Sequence, residues 1–172
     1  MSLKLQIIDD FFSKKEYDIL VNNLNKISYT PATNSQLLFG MNHNFEETKE
    51  NKWMFDKIKN KFALGFPEIK ELEMVSAAFQ MRDNKGDVSP HKDEGIDGHY
   101  TCKYNCLIYL KGEELTYNGT GFYHDTKLNT YIGFVNNRAM FFNGRDVYHT
   151  CLQGLGDSSA RYTLGVFYGK KS

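Results

Sequence analysis

Residues 160–169 read ARYTLGVFYG, and their alternation guides the interpretation of the whole chain. In an extended strand, successive side chains point to opposite faces, so Arg161, Thr163 and Gly165 share one face. The opposite face carries apolar and aromatic side chains, namely Tyr162, Leu164 and Val166. The segment is therefore predicted to be a strand that turns one face to an apolar core and presents an arginine on the other.

The chain from about residue 72 onward has the composition of an antiparallel sheet. Aromatic and β-branched runs alternate with Gly, Asn and Asp clusters, which is typical of short strands joined by turns. The other predicted strands are 73–82, 101–110, 120–125, 129–135, 138–143 and 147–151. Seven or eight such strands favour a mostly β fold, a double-stranded β-helix (jelly roll), over an α/β sheet with crossover helices.

The first part of the chain is predicted to be helical. Ser13 and Glu16 have the spacing of a capping box, and apolar residues with helical periodicity follow them, which predicts an amphipathic helix over about 14–26. A second helix is predicted to begin near Asn44 and to end near Gly65.

The two predicted parts combine into one expected domain. The segment 28–43 between the helices is predicted to be irregular or to form short strands. A chain of 172 residues is long enough to bury a core without disulfides. We therefore expect a single domain over residues 1–172, in which N-terminal helices in 1–70 support a jelly-roll core in 71–170.

Charge and hydropathy limit the classes of partner. Lys and Arg together number 21, as do Asp and Glu, so no basic surplus favours nucleic acid as a partner. No apolar stretch is long enough to span a bilayer, and the N-terminus lacks the features of a signal peptide. These features predict a soluble, cytoplasmic protein that does not bind membranes, and they leave its oligomeric state open.

The three cysteines, Cys102, Cys106 and Cys151, include no CxxC pair. An odd count without such a pair argues against a disulfide framework and against a thiolate zinc site. We expect buried thiols.

Three residues from two segments form a candidate metal site. His91 and Asp93 in HKD are two residues apart, so an extended backbone points both side chains the same way. His149 in DVYHT supplies a third ligand from a distant segment. Two imidazoles and one carboxylate are the facial triad of non-heme Fe(II) oxygenases, which leaves coordination positions open for a cosubstrate and for dioxygen.

Other pairs of His and Asp fit a metal site less well. Asp97 and His99 have the ligand types in the reversed order, whereas His124 and Asp125 are adjacent and would point to opposite faces of a strand. The grouping of His91, Asp93 and His149 is therefore preferred.

The polar face of the strand at 160–169 predicts an acidic ligand. A guanidinium with a hydroxyl beside it binds a carboxylate well, whereas a buried arginine without an anion is costly. A dicarboxylate with a 2-oxo acid end would chelate the metal at one end and meet Arg161 and Thr163 at the other. Its two negative charges would balance the net +1 of the metal with its triad and the +1 of Arg161.

Together these motifs resemble the 2-oxoglutarate and Fe(II)-dependent oxygenase superfamily, and within it the prolyl-hydroxylase-like branch. The resemblance rests on HKD at 91–93, His149, RYT at 161–163, CLIYLKG at 106–112 and GTGFYHD at 119–125. It covers roughly residues 72–169. The chain has an arginine where collagen-type enzymes have a lysine, which weakens any inference of a collagen-like substrate.

The resemblance assigns roles to individual residues. His91, Asp93 and His149 would bind Fe(II) and form the catalytic centre. Arg161 and Thr163 would bind 2-oxoglutarate, and Tyr109 matches a tyrosine that often holds its distal carboxylate. An alternative for Tyr109 is a core aromatic whose hydroxyl meets a backbone group. Asn105 is predicted to share the face of Tyr109 and to assist it.

The implied reaction is hydroxylation of a C–H bond by a dioxygenase that uses 2-oxoglutarate and O2 and releases succinate and CO2. The substrate class, a protein or peptide side chain or a small molecule, is left open, and it is expected to be selected by loops in 30–44, 91–100 and 111–120. Lys92, Glu94 and Tyr100 are candidate substrate contacts. The alternative is a cupin-like jelly roll that binds a divalent metal and is hydrolytic, isomerising or non-catalytic.

Overall fold

The computed structural model describes residues 2–31, 40–82, 89–93, 100–114, 118–151 and 160–171. In chain order, the elements of this part are β1 (Leu5–Ile8), α1 (Lys14–Asn23), β2 (Thr30–Pro31), β3 (Gly40–Asn44), α2 (Lys52–Gly65), a 3-10 helix (Pro67–Glu71), β4 (Glu73–Arg82), β5 (Tyr100–Lys111), β6 (Thr120–His124), β7 (Lys127–Ile132), β8 (Ala139–Phe142), β9 (Tyr148–Cys151) and β10 (Arg161–Lys171).

The strands form two antiparallel sheets. The larger has the order β1-β8-β5-β10-β4-β3-β2, and the smaller has the order β7-β6-β9. The strand predicted at 160–169 is β10, which lies in the middle of the larger sheet between β5 and β4. The predicted mostly β jelly-roll fold with supporting helices is confirmed, and each of the seven predicted strands is present within a few residues of its expected bounds.

Helix α1 begins as predicted and ends earlier than expected. The Ser13 side chain accepts a hydrogen bond from the Glu16 backbone N–H, and the Glu16 carboxylate accepts one from the Ser13 N–H, so the capping box is formed. The helix ends at Asn23 because the next backbone hydrogen bonds span three residues instead of the four of an α-helix. Leu24 donates to the Val21 carbonyl and Lys26 to the Asn23 carbonyl. No helix in the described part of the chain is both long and apolar enough to cross a membrane.

The predicted start of α2 near Asn44 is wrong, since the helix begins at Lys52. Asn44 is the last residue of β3, which pairs with β4. In the segment between β3 and α2, the Asn51 side chain accepts a hydrogen bond from the Thr48 N–H at 2.7 Å and donates one to the Glu46 carbonyl at 2.9 Å. These side-chain bonds stabilise a turn in place of a helical start.

Strand β1 was not predicted. It pairs with β8 at the edge of the larger sheet. The strand is only four residues long, and its apolar residue Ile7 is partly exposed to solvent. Its sequence is therefore too short to show a clear alternation of apolar and polar residues.

The larger sheet separates two cores. On one side, the apolar face of the sheet packs against the helices in a cluster that includes Ile58, Phe62, Ile108, Phe141, Leu164 and Val166. On the other side, between the two sheets, lies a smaller cluster: Tyr109, Phe122, Ile132, Phe134, Met140, Phe142 and Val147. Next to this cluster lies a cavity lined by polar and charged side chains together with apolar residues such as Leu107, Phe142 and Phe167.

Candidate metal and anion site

Backbone pairing brings the two candidate histidines together. The His91 N–H donates to the His149 carbonyl at 3.0 Å, and the His149 N–H donates to the His91 carbonyl at 2.9 Å. The Asp93 N–H donates to the Gly144 carbonyl at 3.2 Å, which fixes the end of the same segment. As a result, one potential ligand atom from each of His91, Asp93 and His149 lies within 4.8 Å of the other two.

Hydrogen bonds orient both imidazole rings. Nδ1 of His91 lies 3.1 Å from the Ser89 carbonyl, and Nδ1 of His149 lies 3.2 Å from the Val147 carbonyl. Because a carbonyl only accepts, each Nδ1 must carry a proton, so in the neutral ring Nε2 is the atom with a free lone pair. Such a hydrogen bond from the distal ring nitrogen is the usual support of a metal-binding histidine.

The inward-facing atoms need a cation. Nε2 of His149 is 3.1 Å from one Asp93 carboxylate oxygen, and Nε2 of His91 is 3.8 Å from the other. Two lone pairs and a carboxylate facing one another are stable only around a proton or a metal ion. The residues therefore fit a divalent metal such as Fe(II), held by two nitrogens and one carboxylate.

Electrostatics favour the metal-binding forms of Asp93 and His91, and in the absence of a metal they favour the protonated form of His149. Burial lowers the pKa of His91, and the neighbouring His149 lowers it further. Burial works to raise the pKa of Asp93, but the two histidines and Asn105 outweigh it and lower that pKa. Burial likewise opposes the charged form of His149, yet Asp93 raises its pKa overall. Asp93 is thus ionised and His91 neutral near pH 7, as metal binding requires.

The structure places Asn105 beside Asp93. Its side-chain amide donates to the Asp93 carboxylate, and its carbonyl oxygen lies 3.2 Å from the Cys102 sulfur. A Cβ on Gly144 would lie 2.5 Å from the Asn105 amide nitrogen, so a larger residue there would displace the Asn105 side chain. Asn105 therefore contacts the candidate metal ligand, and no hydrogen bond among the described residues joins it to Tyr109, with which it was expected to act.

Arg161 occupies the other end of the same cavity. It is 4% exposed, and its guanidinium carbon lies 5.0 Å from the centre of the Tyr109 ring and 5.6 Å from that of Phe134. Its two terminal nitrogens donate long hydrogen bonds to the Gly119 carbonyl at 3.3 Å and to the Thr120 hydroxyl at 3.4 Å. The buried Nε has no partner in the part of the chain that the structure describes.

Thr163 lines the cavity next to Arg161, and Tyr109 lies fully buried against the Arg161 guanidinium. The Tyr109 hydroxyl donates to the Thr120 hydroxyl at 2.7 Å and lies 3.4 Å from the Ile132 carbonyl. Burial raises the pKa of Tyr109 to about 12, so the hydroxyl stays protonated. The Thr163 hydroxyl donates to the Gln80 side-chain oxygen at 3.1 Å. Both side chains thus lie in contact with other polar groups that face the cavity.

Four polar residues of the cavity were not predicted from sequence: Gln80, Arg82, Thr120 and Thr150. Gln80 and Arg82 end β4 and lie opposite Thr163 and Arg161 in the register of the larger sheet. Their alternation within the predicted strand at 73–82 was a usable signal only in part: it places both on one face of that strand, whereas the pairing with β10 brings that face next to Arg161. Thr120 had no signal of its own, since its importance comes from contacts across the cavity.

Several sequence-level candidates lie elsewhere. His124 and Asp125 form an exposed pair away from the cavity walls. Cys102, Cys106 and Cys151 are free, and the first two are buried as expected; of the three, Cys106 and Cys151 do line the cavity. Lys92 lies 4.7 Å above the Tyr148 ring. Residues 94–99, which include Glu94, Asp97 and His99, lie outside the described residues, as do the Tyr100 side chain and parts of the expected substrate loops.

Comparison with known proteins identifies the fold. No protein-family model and no curated protein matches the chain. Solved structures do: a prolyl-4-hydroxylase from Pseudomonas putida has a TM-score of 0.75 at 11% identity, with 99% of this chain and 95% of that chain covered. A prolyl hydroxylase from Trichoplax adhaerens, in complex with a hypoxia inducible factor oxygen degradation domain peptide fragment, has a TM-score of 0.73 at 12% identity, with coverage of 96% and 83%.

A viral collagen prolyl hydroxylase from Paramecium Bursaria Chlorella virus-1, solved as a 2-oxoglutarate complex, has a TM-score of 0.68 at 17% identity, with 96% of each chain covered. These likenesses extend over nearly the whole of this chain, helices included. The chain therefore has the jelly-roll fold of the prolyl-hydroxylase-like 2-oxoglutarate and Fe(II) oxygenases.

Proposed function

We propose that this protein is a 2-oxoglutarate- and Fe(II)-dependent dioxygenase that hydroxylates a C–H bond of its substrate and releases succinate and CO2. In this proposal, residues 1–172 act as one oxygenase domain. His91, Asp93 and His149 hold the metal, and Arg161, Thr163 and Tyr109 hold the cosubstrate.

One observation supports this function more than any other. A single cavity has three convergent metal-binding groups at one end and, at the other, a buried arginine whose Nε is unpaired among the described residues. A buried cation without an anion is costly. An acidic cosubstrate that spans the cavity would satisfy both ends, because its 2-oxo acid group chelates a metal and its distal carboxylate pairs with a guanidinium.

The chain's own residues would position the reactants. When bound, Fe(II) supplies the oxidative chemistry with O2 and 2-oxoglutarate. The backbone carbonyls of Ser89 and Val147 fix the two imidazole rings, and Asn105 fixes the Asp93 carboxylate through its amide. The aromatic rings of Tyr109 and Phe134 cover the Arg161 guanidinium and exclude water from its pairing with a carboxylate.

Net charge also favours a dianionic cosubstrate. A divalent metal with the Asp93 carboxylate carries a net charge of +1, and Arg161 adds another +1. A dicarboxylate balances these two charges, whereas a monocarboxylate would balance only one of them. A jelly-roll protein that used the same three ligands without such a cosubstrate would leave Arg161 unexplained.

For the substrate we propose a protein or peptide side chain or a small molecule. The Trichoplax enzyme binds a peptide in its solved complex, which supports the peptide class by analogy of fold. The balanced charge of this chain gives no support to a nucleic-acid substrate.

The decisive experiment measures O2 consumption and succinate formation with Fe(II) and 2-oxoglutarate, together with metal and 2-oxoglutarate affinities. We expect slow substrate-independent turnover in the natural protein. The Arg161→Ala variant should still bind the metal. Its binding of 2-oxoglutarate should be weaker by about 2–3 kcal/mol, because a charge-assisted contact is lost.

Arg138→Ala is the matched control, since Arg138 pairs with Asp9 near the surface and should leave 2-oxoglutarate binding unchanged. The proposal fails if the protein binds Fe(II) but 2-oxoglutarate neither stabilises the fold nor decays.

A further inference from the structure

A second arginine, Arg82, faces the same cavity as Arg161. The two residues are opposite one another in the antiparallel pairing of β4 with β10. Paired residues on neighbouring strands project from the same face with Cβ atoms about 5 Å apart. Both side chains line the cavity, so it contains two guanidinium groups.

The two side chains run across the cavity in parallel. Arg161 reaches Thr120 on β6, and an Nη of Arg82 donates to the Cys151 sulfur on β9 at 3.1 Å. Thr120 and Cys151 are themselves opposite one another in the pairing of β6 with β9. Because the arginines start from paired residues and end at paired residues, their guanidinium groups are neighbours.

Two neighbouring cations in a cavity require negative charge. The other charged or titratable groups of the described residues that line it are His91, Asp93, Cys106, His149 and Cys151. The Asp93 carboxylate already lies against His149 and Asn105. Burial and the nearby Arg161 both lower the pKa of Arg82, and no carboxylate among the described residues hydrogen-bonds to it. The cavity is thus more positive than the metal site and Arg161 alone would make it.

We propose that Arg82 and Arg161 together bind the distal carboxylate of the acidic cosubstrate as a two-arginine clamp. This inference rests on the proposed function and adds Arg82 as a residue that determines cosubstrate specificity. Each guanidinium carries five N–H donors, of which Arg161 has Nε unpaired among the described residues. A carboxylate between the two groups would accept a hydrogen bond from each guanidinium through the in-plane lone pairs of its oxygens.

The clamp predicts strong selection between 2-oxo acids. A dicarboxylate such as 2-oxoglutarate reaches both arginines while its 2-oxo acid end chelates the metal. Pyruvate has the same chelating end and no distal carboxylate, so it would leave both guanidinium groups without an anion. Arg82 should therefore contribute to the binding of 2-oxoglutarate and contribute little to that of pyruvate.

The test is a calorimetric titration of the Mn(II)-loaded protein, natural and variant, with 2-oxoglutarate and with pyruvate. We expect Arg82→Gln to weaken 2-oxoglutarate about 10- to 100-fold, the range for loss of a hydrogen bond to a charged group. Its Mn(II) affinity and its weak pyruvate binding should stay within twofold. Arg82→Lys should recover part of the loss, since it restores the charge without the planar fork.

Arg138→Gln serves as the matched control, because it makes the same substitution in an arginine paired with Asp9 near the surface. A double-mutant cycle of Arg82→Gln with Arg161→Gln should show coupling, as expected for two groups that bind one carboxylate. Thermal unfolding and Mn(II) affinity establish that each variant is folded.

The outcomes separate two failures. If the natural protein does not bind 2-oxoglutarate at all, the proposed function is wrong and the clamp falls with it. If the natural protein binds 2-oxoglutarate and the folded Arg82 variants bind it equally well, the clamp alone is wrong.

Discussion

The two faces of the larger sheet differ in what they need from outside the chain. On the face that meets the helices, β5 and β10 contribute apolar or aromatic residues that pack against α1 and α2, among them Ile108, Leu164 and Val166. On the face toward the cavity, the same two strands contribute Asn105, Arg161 and Thr163, with Tyr109 buried against the Arg161 guanidinium. The first face is fully packed against other residues of the chain, whereas the second carries charged groups and lone pairs suited to binding a ligand.

This difference separates stability from function within single strands. Burial of apolar side chains is the main favourable contribution to folding, so the helix-facing side should dominate the free energy of unfolding. Buried cations and convergent acceptors are unfavourable without a partner. The cavity-facing side should therefore lower the free energy of unfolding of the ligand-free protein. Binding of metal and cosubstrate should raise that free energy again.

The largest effect is expected at the metal end of the cavity. Asp93→Ala should abolish Fe(II) binding, because it removes the only carboxylate of the three convergent groups. Metal titration followed by thermal unfolding measures this, since Fe(II) should raise the Tm of the natural protein and leave that of the variant unchanged. A variant that still gains stability from Fe(II) would contradict the assignment of Asp93 as a ligand.

A comparison of adjacent residues on β10 tests the two faces directly. Leu164→Ala should cost about 2–5 kcal/mol of unfolding free energy, because it leaves a cavity in the core beneath the helices. The neighbouring Thr163→Ala, on the other face, should cost much less and should weaken 2-oxoglutarate binding. Urea unfolding measures the first effect and calorimetry the second. If both variants lost stability equally and kept 2-oxoglutarate affinity, the separation of the two faces would be wrong.

Much of this division was predictable from sequence because it follows from alternation. The period of two in ARYTLGVFYG separates Arg161 and Thr163 from Leu164 and Val166 without reference to any partner. The spacing of His91 and Asp93 similarly places two ligand types on one side of an extended segment. Which face of a strand a side chain occupies depends only on its position relative to residues nearby in the sequence, so the sequence alone predicts it.

The remaining features depend on contacts between distant segments. Asn105 was expected near Tyr109, but its amide meets Asp93, which is brought there by the pairing of residues 89–93 with β9. Helix α2 begins later than its pattern indicated because β3 takes the preceding residues into the larger sheet. Arg82 gained its place opposite Arg161 from strand order, which sequence alone did not specify.

Asn105→Ala should weaken Fe(II) about 10- to 100-fold, the usual effect of removing a group that orients a metal ligand. The physical reason is that its amide donates to the Asp93 carboxylate and limits its rotation. Competition with a chelator measures the affinity. Asn118→Ala is a matched control, since Asn118 is also buried but donates to the Glu113 carbonyl; an equal loss in both variants would show a general structural effect.

The smallest effect should appear on the helix-facing side, where Lys57 of α2 lies 2.5 Å from the Glu16 carboxylate of α1. This contact, with a lesser contribution from Ser13, lowers the pKa of Glu16 from 4.5. A lowered carboxyl pKa stabilises the folded state above pH 4.5, and that stabilisation is lost as the pH falls through the folded pKa. Glu16→Gln, which retains a capping side chain, should cost about 1 kcal/mol or less at pH 7.

The cost of Glu16→Gln should disappear in acid, where Glu16 is protonated in both states. Urea unfolding of the natural protein and the variant from pH 7 down to pH 3 would measure the difference. Because Glu16 and Lys57 lie on the side of the sheet that needs no ligand, the variant should bind Fe(II) and 2-oxoglutarate as the natural protein does. A pH-independent loss of stability would assign the effect to the capping box instead of the ion pair, and a loss of cosubstrate affinity would show that the helix-facing side also shapes the cavity.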